Sequence, residues 1–457
     1  MRLFGTNGIR EVVGPTLTPE FTTRLANAIA GTIPVGKPVV VGWDGRTSSR
    51  ALSSIVSSTL ALAGHHVIEV GLLPTPAIQY MVARLAAQLG VVITASHNPP
   101  EFNGFKCIHS DGLEIPRSAE EEIERRFADA PSTAVPYRSV GEIGFHGSGA
   151  REYVHGVLAR VDAARISARA YAIVLDVGNG TAAVTGPDLL RRLGCRVVTL
   201  NGHVDGTFPG RPSEPTEANV ADLRRAVPSV GADLGIAHDG DADRAVFVER
   251  SGRYVPGEEI LALLARDAVR RHGGGIVVTP VTAPDSVEEA VQPLGGEVVY
   301  TRVGSPNVTR EMLARHAVIG GEENGGLIFP EFQLARDGAM TVAVVLDLMA
   351  REGQPLDVLL AGLPHHALLK EKVPCPLDRR EETVRAFAER FGPGAERVVT
   401  IDGVKIYRPG GWVLLRPSGT EPLLRLFTDS RDPKRARELA DEALAAVRAS
   451  IGRQRGA

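Results

Sequence analysis

The sequence predicts an α/β protein: three similar α/β domains with mixed, mostly parallel sheets, then a C-terminal α+β domain, all arranged around a central cleft. Three observations support this prediction. The chain has 457 residues, which is too long for one ordinary hydrophobic core. Short β-branched runs alternate with alanine- and leucine-rich stretches, as expected for parallel strands joined by crossover helices. One strand–helix–strand unit also recurs three times, and each copy ends in an unusual polar loop.

Each copy of the repeated unit begins with a buried strand, continues through a helix-compatible stretch that ends at glycine, and then adds two further strands. The first strands are residues 39–41, 173–175 and 276–278. The second strands are residues 64–68, 194–198 and 296–299. The loops after the third strands are residues 94–100 (the serine loop), 238–244 (the acidic loop) and 320–326 (the glycine loop). Because ligands bind at the carboxyl ends of strands in open α/β sheets, we expect these loops to converge, although strand–helix–strand echoes are common in such proteins.

The end of the chain has a different pattern, with shorter strands, hairpin turns and two amphipathic stretches. The predicted helices are residues 383–390 and 433–448. The predicted strands are residues 398–401, 403–407, 412–416 and 423–428. We predict a linker at Pro374-Cys375-Pro376 and a helical linker around residues 151–161. The predicted domains are residues 1–150, 151–252, 253–370 and 371–457.

Composition and charge exclude several classes of protein. The net charge of −3 gives no long-range attraction to nucleic acid or to an anionic membrane. No apolar stretch approaches the roughly 20 residues of a membrane span, and the first residues lack the apolar region of a signal peptide, so we expect a cytoplasmic protein. Three scattered cysteines, Cys107, Cys195 and Cys375, lack metal-ligand spacing and are predicted to be buried structural residues.

The serine loop, Thr-Ala-Ser-His-Asn-Pro-Pro, follows the apolar run 89–93 and places Ser96 at the end of a predicted buried strand. A serine hydroxyl is a poor nucleophile unless a base, a metal or a charged neighbour activates it. One interpretation is that Ser96 carries a phosphoryl group, with His97 and backbone amides stabilising it. The other is an ordinary turn in which serine and asparagine bind the local backbone and the prolines end the strand.

The acidic loop contains three carboxylates, Asp239, Asp241 and Asp243, on one side of an extended segment or around a tight turn at Gly240. Three acids this close repel one another unless a cation neutralises them. Magnesium prefers such oxygen ligands, whereas the pattern fits a calcium EF-hand poorly. The alternative is a solvated acidic turn, which the apolar run before the loop argues against.

Two further loops have the composition of binding sites. The arginine loop, residues 416–425, offers backbone approach, hydroxyls and bidentate donors to an anion, although a plain hairpin turn fits it as well. Its candidate ligands are Arg416, Ser418, Gly419, Thr420 and Arg425. The glycine loop places Glu322 and Asn324 between glycine pairs, which suits sugar hydroxyls, and an exposed turn is the competing interpretation.

These four loops, in this order and spacing, resemble the α-D-phosphohexomutase superfamily over essentially the whole chain. The segment Phe4-Gly-Thr-Asn-Gly-Ile-Arg10 is similar to its N-terminal signature, and Asn103-Gly-Phe-Lys106 to a segment with a candidate acid/base. The resemblance implies that Ser96 is phosphorylated and shares one Mg²⁺ with Asp239, Asp241 and Asp243. It implies catalytic roles for Ser96, His97, Lys106, Arg10 and Arg244. It also implies substrate binding by Glu322, Asn324, Gly304, Arg416, Ser418, Gly419, Thr420 and Arg425.

The implied activity is the interconversion of hexose 1-phosphates and 6-phosphates through a phosphoserine and a bisphosphate, with a bisphosphorylated sugar as activator. Phosphoglucosamine, or mannose and glucose phosphates, are the expected substrates, with no nucleic-acid or membrane partner and a monomeric or homodimeric state. Asn324 and Gly326 stand where many members have serine and histidine, a form most similar to archaeal-type enzymes. The alternatives are a phosphopentomutase, a phosphatase with a phosphoserine intermediate, and a non-catalytic sugar-phosphate-binding protein.

Overall fold

The structure is a computed structural model that describes residues 2–129, 132–418 and 422–453. Its chain divides into two compact units. The first unit comprises Met1–Ile260 and Asn324–Ala361, and the second comprises Leu261–Glu323 and Gly362–Ala457. In the described part of the chain, no helix is both long enough and apolar enough to cross a membrane.

Strands and helices are numbered in chain order. The first 160 residues contain β1 (Ile9–Val12), α1 (Pro19–Ala30), β2 (Pro38–Trp43), α2 (Ser49–Leu62), β3 (His66–Leu72), α3 (Thr75–Arg84), β4 (Leu89–Ile93), β5 (Phe102–His109), α4 (Arg117–Asp129), β6 (Ile143–Phe145) and α5 (Gly149–Leu158). Residues 161–272 contain α6 (Ala163–Ser167), β7 (Ala172–Asp176), α7 (Ala182–Arg192), β8 (Arg196–Leu200), α8 (Ala221–Ser229), β9 (Leu234–His238), β10 (Ala245–Glu249), β11 (Tyr254–Val255) and α9 (Gly257–His272).

The remaining elements continue the same numbering. Residues 273–361 contain β12 (Gly275–Pro280), α10 (Ser286–Val291), β13 (Gly296–Thr301), α11 (Ser305–Arg315), β14 (Ile319–Gly321), β15 (Leu327–Phe329), β16 (Gln333–Arg336), α12 (Gly338–Glu352) and α13 (Leu356–Ala361). The last part contains β17 (Ala367–Pro374), α14 (Arg380–Phe391), β18 (Arg397–Val399), β19 (Val404–Arg408), β20 (Gly411–Pro417), β21 (Leu423–Ser430) and α15 (Pro433–Arg453).

The three predicted repeats have the same strand order. In the first unit, a six-stranded sheet has the order β1-β5-β4-β2-β3-β6 and a five-stranded sheet has the order β11-β10-β9-β7-β8. In the second unit, β12 pairs in parallel with both β13 and β14. Each repeat therefore places its first strand between its second and third strands, all parallel, as β4-β2-β3, β9-β7-β8 and β14-β12-β13. This order confirms the predicted α/β class with mixed, mostly parallel sheets.

Apolar packing between sheet and helices forms the core of the first repeat. Val39, Val40 and Val41 of β2 are completely buried, because helices cover both faces of a parallel sheet. Helix α1 begins where the Thr18 side chain accepts a hydrogen bond from the Phe21 amide. Full burial of each such aliphatic side chain contributes about 1.5–3 kcal/mol, so this layer fixes where the strand ends lie.

The C-terminal part forms an antiparallel sheet of order β17-β21-β20-β19-β18, and α14 and α15 pack on it, as predicted for an α+β domain. The predicted linker at Pro374–Pro376 is wrong. Pro374 pairs with Leu423 at the end of β17, and the Cys375 amide donates to the Pro422 carbonyl oxygen. The missed strand β17 lies at the sheet edge and carries mostly half-buried or exposed residues, including two lysines, so it lacks the apolar pattern of an interior strand.

The helix predicted around residues 151–161 is confirmed as α5, which packs against α3 and α7. The prediction of buried cysteines is also confirmed, since Cys107, Cys195 and Cys375 are buried free thiols. Burial raises the pKa of the Cys107 thiol to about 12, so this residue stays protonated and unreactive at neutral pH.

Close pairing of β1 and β5 predicts a stability effect at Gly104. A Cβ atom there would lie 1.9 Å from the Ile9 carbonyl oxygen, which is backbone and cannot move freely. Gly104→Ala is expected to cost about 1–3 kcal/mol and to lower the thermal unfolding midpoint by several degrees. Gly144→Ala, in β6, is the matched control, because nothing lies within 4 Å of its added Cβ. Equal midpoints for the two variants would contradict this account.

Candidate active site

The serine and acidic loops meet in the first unit. Ser96 is buried, and its Oγ donates to Asp239 Oδ2 at 3.1 Å and lies 3.3 Å from His97 Nδ1. Its backbone has a φ of +51°, in the left-handed region that non-glycine residues adopt at a cost. The Ser96 backbone is therefore held in an unfavourable conformation, and its side chain contacts the acidic loop.

The three aspartates of the acidic loop form one buried cluster. One oxygen from each of Asp239, Asp241 and Asp243 lies within 4.8 Å of the others. The segment forms a turn whose left-handed residue is Ala242, with φ +56°. Glycine is needed at 240 for close approach, because an added Cβ would lie 2.7 Å from the Ser96 carbonyl oxygen.

Basic side chains surround this cluster. Lys106 Nζ lies 3.0 Å from Asp241 Oδ2 and 3.2 Å from Asp243 Oδ2. Arg336 NH2 lies 2.5 Å from Asp243 Oδ2, and Arg244 Nε lies 3.8 Å from Asp243 Oδ1. Buried charges require such partners, since an isolated buried carboxylate is strongly destabilising.

The pKa shifts of the cluster show how its charge is distributed. Burial, and then the charges of Asp243 and Asp241, raise the pKa of Asp239 well above its usual range. Burial also acts to raise the pKa of Asp241, but Lys106, Thr75 and Arg336 together outweigh it, so that pKa is lowered. At Asp243, burial is outweighed mainly by Arg336, and the pKa is again lowered. The local cations thus lower the pKa of two carboxylates, whereas the pKa of Asp239 stays raised.

Two carboxylate oxygens show that a divalent cation fits here. Asp241 Oδ1 and Asp243 Oδ1 are buried and have no hydrogen-bond partner among the described residues. A buried oxygen without a donor is costly, and an Mg²⁺ ion would satisfy both atoms with the oxygen ligands it prefers. Arg244 Nε is likewise buried without a hydrogen-bond partner among the described residues, which suits an anionic group beside the cation.

Two other predicted residues are Arg10, which contacts the serine loop, and His97, which belongs to it. Arg10 lies in β1, and its NH1 donates to Asn98 Oδ1 at 2.9 Å. The pKa of His97 is lowered well below its usual value by burial and then by the charges of Arg244 and Arg10. The imidazole next to Ser96 Oγ is therefore neutral at neutral pH.

Sequence reasoning missed two residues that contact the acidic loop. Thr75 Oγ1 donates to Asp241 Oδ2 at 2.7 Å, and Arg336 binds Asp243 as described above. Thr75 begins α3 after β3, and Arg336 ends β16, whereas within the repeated units the sequence analysis drew its candidate loops from the ends of the third strands. A search for polar residues at the ends of the other predicted strands could have identified Thr75 and Arg336 as candidates.

The second unit contains most of the remaining predicted residues. Glu322 Oε1 accepts a hydrogen bond from the Gly304 amide at 3.2 Å. Arg416 and Arg425 are paired across β20 and β21, and Arg416 Nε donates to Asp402 Oδ2 at 3.0 Å. Asp402, which the sequence analysis missed, also accepts the Val303 amide at 3.1 Å.

The other predicted binding residues are placed as follows. The Ser418 amide, in the second unit, donates to the Leu423 carbonyl oxygen at 3.0 Å. Asn324 belongs to the first unit, and its Oδ1 accepts the Gly326 amide at 3.1 Å. Gly419 and Thr420 lie outside the described residues.

Comparison with known proteins identifies the family. Four models match in chain order: the phosphoglucomutase/phosphomannomutase alpha/beta/alpha domains I, II and III, at residues 1–134, 151–252 and 256–366, and the C-terminal domain, at residues 372–446. The chain is 39% identical over 441 residues to the phosphoglucomutase/phosphomannomutase of Thermococcus kodakarensis, covering 96% of each chain. It is 40% identical over 450 residues to a protein of Methanopyrus kandleri named "Probable phosphoglucosamine mutase", covering 98% of each.

A crystal structure of a phosphoglucomutase/phosphomannomutase family protein from Burkholderia thailandensis has the same fold. Its TM-score is 0.88 at 27% sequence identity, and the match covers 98% of this chain and 97% of that one. The protein is thus a phosphomutase-type enzyme, an intramolecular phosphotransferase of the isomerase class. It belongs to the phosphoglucomutase/phosphomannomutase family within the α-D-phosphohexomutase superfamily.

The ion pair between Arg336 and Asp243 predicts a metal-dependent stability effect. Arg336→Met leaves Asp243 buried with less compensation and is expected to cost about 3–5 kcal/mol in chelator. Mg²⁺ should offset part of this loss, because a ligand that binds only the folded state stabilises it. The measurement is the thermal unfolding midpoint of wild type and variant, in EDTA and in Mg²⁺.

Arg125→Met is the control, since Arg125 forms an exposed ion pair with Glu122 and such solvent-screened pairs contribute little to stability. It should leave the midpoint nearly unchanged in both buffers. A loss for Arg336→Met that is equal in EDTA and in Mg²⁺ would place the cation away from Asp243.

Proposed function

We propose that this enzyme interconverts hexose 1-phosphates and 6-phosphates, with Ser96 as the phosphoryl carrier. The observation that carries the proposal is the buried contact of Ser96 Oγ with Asp239 Oδ2 at 3.1 Å, inside a cluster of three aspartates. A hydroxyl here is shielded from water and lies beside both acidic and basic groups. The names of the related proteins, which act on glucose, mannose and glucosamine phosphates, support the same class of substrate.

The proposed metal ligands are Asp239, Asp241, Asp243 and the oxygen atoms on Ser96. Two of these carboxylates each have an oxygen without a hydrogen-bond partner among the described residues, which supports the assignment. When bound, Mg²⁺ would neutralise the acidic cluster and stabilise negative charge on phosphoryl oxygens. Lys106 and Arg336 hold Asp241 and Asp243 in place by ion pairs.

In the proposed reaction, phospho-Ser96 transfers its phosphoryl group to the free hydroxyl of a sugar monophosphate. The bond between phosphorus and Oγ breaks and a bond to the sugar oxygen forms. The sugar hydroxyl gives up its proton to a base, and Oγ takes up a proton to become the serine hydroxyl, so the protons balance. The resulting bisphosphate turns over and returns its other phosphoryl group to Ser96. Arg244, whose Nε has no hydrogen-bond partner among the described residues, is placed to stabilise the transferred group, since such transfer depends mainly on positioning and electrostatics.

The acid/base assignment favours His97 at the serine oxygen. Its Nδ1 lies 3.3 Å from Ser96 Oγ, and its lowered pKa keeps the imidazole neutral and able to accept a proton. Burial acts to lower the pKa of Lys106, but Asp241 and Asp243 outweigh it and the pKa is raised. We therefore assign Lys106 mainly to holding the aspartates, and His97 to exchanging a proton with Oγ.

The second unit and the end of the glycine loop supply the proposed sugar and phosphate contacts. The proposed ligands of the sugar hydroxyls are Glu322, Asn324 and Gly304. The hydrogen bond of 3.2 Å from the Gly304 amide to Glu322 Oε1 supports this grouping, because it holds two of these residues together. The arginine loop would bind the phosphate that is not transferred. The proposed ligands of this phosphate are Arg416, Ser418, Gly419, Thr420 and Arg425. Assays with glucose, mannose, glucosamine, N-acetylglucosamine and pentose 1-phosphates, each with its bisphosphate activator, identify the preferred substrate.

Replacing the phosphoryl carrier tests the mechanism. Ser96→Ala should lower turnover at least about 1,000-fold, because the nucleophile is lost, while sugar-phosphate binding is largely retained. Peptide mass analysis of active wild-type enzyme should place one phosphate on residues 94–100. Ser54→Ala, at an exposed helix serine, is the control and should be fully active. A phosphate on another residue, together with an active Ser96→Ala variant, would refute the mechanism.

Replacing a metal ligand tests the acidic cluster. Asp241→Asn removes one negative ligand, so Mg²⁺ affinity should fall at least about 10–100-fold and turnover should fall with it. Excess Mg²⁺ or Mn²⁺ should restore part of the activity. Asp188→Asn, at an exposed helix pair with Arg192, should change neither quantity. Full wild-type activity in chelator would be inconsistent with this assignment.

A further inference from the structure

Arg46 is a fully buried arginine that the proposed chemistry does not use. It follows β2 in the segment Asp44-Gly45-Arg46, and its side chain has 0% exposure. Its Nε donates to Asp44 Oδ2 at 3.2 Å, so the two charges compensate each other inside the first unit. A buried pair of this kind contributes little net stability compared with apolar residues, so its presence calls for a specific role.

The rest of the Arg46 guanidinium binds backbone carbonyls of the segment around Ser96. NH1 donates to the carbonyl oxygens of Pro99 and Phe102, at 2.6 and 2.9 Å. NH2 donates to those of Ser96 and Asn98, at 3.0 and 2.6 Å. A guanidinium has five N–H donors, and these four bonds with the Asp44 contact use all of them. Arg46 therefore has no donor left for a phosphate. Its hydrogen bonds instead hold the backbone of the serine loop and of Phe102 just after it.

Asp44 extends the same network to the other side of Ser96. Its Oδ2 accepts the Thr94 hydroxyl at 2.8 Å, and Thr94 Oγ1 in turn accepts the Ser96 amide at 2.9 Å. Arg46 binds the Ser96 carbonyl oxygen directly. The buried pair of Asp44 and Arg46 thus holds the Ser96 amide, through Thr94, and the Ser96 carbonyl oxygen directly.

This double attachment matters because Ser96 has a φ of +51°. A left-handed conformation at a non-glycine residue costs on the order of 1–3 kcal/mol and persists only where the surroundings impose it. We propose that Arg46, with Asp44, is a positioning residue that holds Ser96 in this conformation and keeps Oγ directed at Asp239. The proposal rests on the proposed function, in which Ser96 carries the phosphoryl group.

A second arginine provides a matched control. Arg211 is also buried, and its Nε donates to Asp176 Oδ2 at 2.7 Å at the end of β7. Its NH2 donates at 2.6 Å to the carbonyl oxygen of His238, the first residue of the acidic loop, and its NH1 donates to the carbonyl oxygens of Pro212 and Ser213. Substituting Arg211 thus removes an equivalent buried ion pair without removing the bonds to Ser96.

The test measures the rate at which glucose 1,6-bisphosphate phosphorylates Ser96 at saturating Mg²⁺. Arg46→Lys cannot reproduce a five-donor planar fork, so the rate should fall about 100-fold or more while KM for the sugar phosphate stays within about threefold. Arg46→Ala should regain at least about tenfold of its lost rate with added guanidinium ion. Arg211 holds the acidic loop instead, so Arg211→Lys should weaken Mg²⁺ binding but keep its rate at saturating Mg²⁺ within about threefold. A wild-type rate in Arg46→Lys, an equal loss in Arg211→Lys, or no rescue by guanidinium would overturn the proposal.

Two further measurements keep the proposal falsifiable if an Arg46 variant does not fold or the proposed function fails. Thr94→Val removes the link between Asp44 and the Ser96 amide, together with a long contact of Thr94 Oγ1 with Asp241 Oδ2 at 3.5 Å. At saturating Mg²⁺ it should also slow phosphorylation, and an unchanged rate would overturn the proposal. A crystal structure of Arg46→Lys should show Ser96 outside the left-handed region, and an unchanged φ would likewise overturn it. Failure of the wild-type enzyme to become phosphorylated at Ser96 would refute the proposed function instead.

Discussion

The site of this enzyme depends on one electrostatic constraint: three carboxylates lie buried within a single turn of the acidic loop. Their oxygens approach within 4.8 Å, in a setting where like charges repel strongly. Lys106 and Arg336 compensate Asp241 and Asp243, whereas the pKa of Asp239 is raised and its Oδ2 accepts a hydrogen bond from Ser96. We propose that a further cation completes this arrangement, since Asp241 Oδ1 and Asp243 Oδ1 have no hydrogen-bond partner among the described residues.

Repetition of one α/β unit explains how distant segments supply these groups. In the first unit, the third strands β4 and β9 end in the serine and acidic loops, which carry the proposed chemistry. The first strands β2 and β7 lead into Asp44 and Asp176, and each of these aspartates binds a buried arginine that holds backbone carbonyls. The ends of the third strands thus provide the reactive groups, and the ends of the first strands provide structural ion pairs.

Much of this could be predicted from the sequence, because local patterns determine it. Apolar periodicity gave the repeated strands, and the clustering of Asp239, Asp241 and Asp243 gave the acidic site. The contacts of Thr75 and Arg336 could not be predicted in this way, because each lies far along the chain from its aspartate, at separations of 166 and 93 residues. Their role arises only when the fold brings the strand ends together. Edge strand β17 was missed for a related reason, since half-exposed edge strands carry little apolar signal.

The central claim is that phosphorylated Ser96 and the three aspartates share one divalent cation. Electron–nuclear double resonance on enzyme that is phosphorylated at Ser96 and loaded with Mn²⁺ tests this claim most directly. We expect one Mn²⁺ per chain with a clear ³¹P hyperfine coupling from the phosphoserine, and loss of that coupling when Ser96 is dephosphorylated. Bound Mn²⁺ with no ³¹P coupling, or binding that survives substitution of all three aspartates, would contradict it.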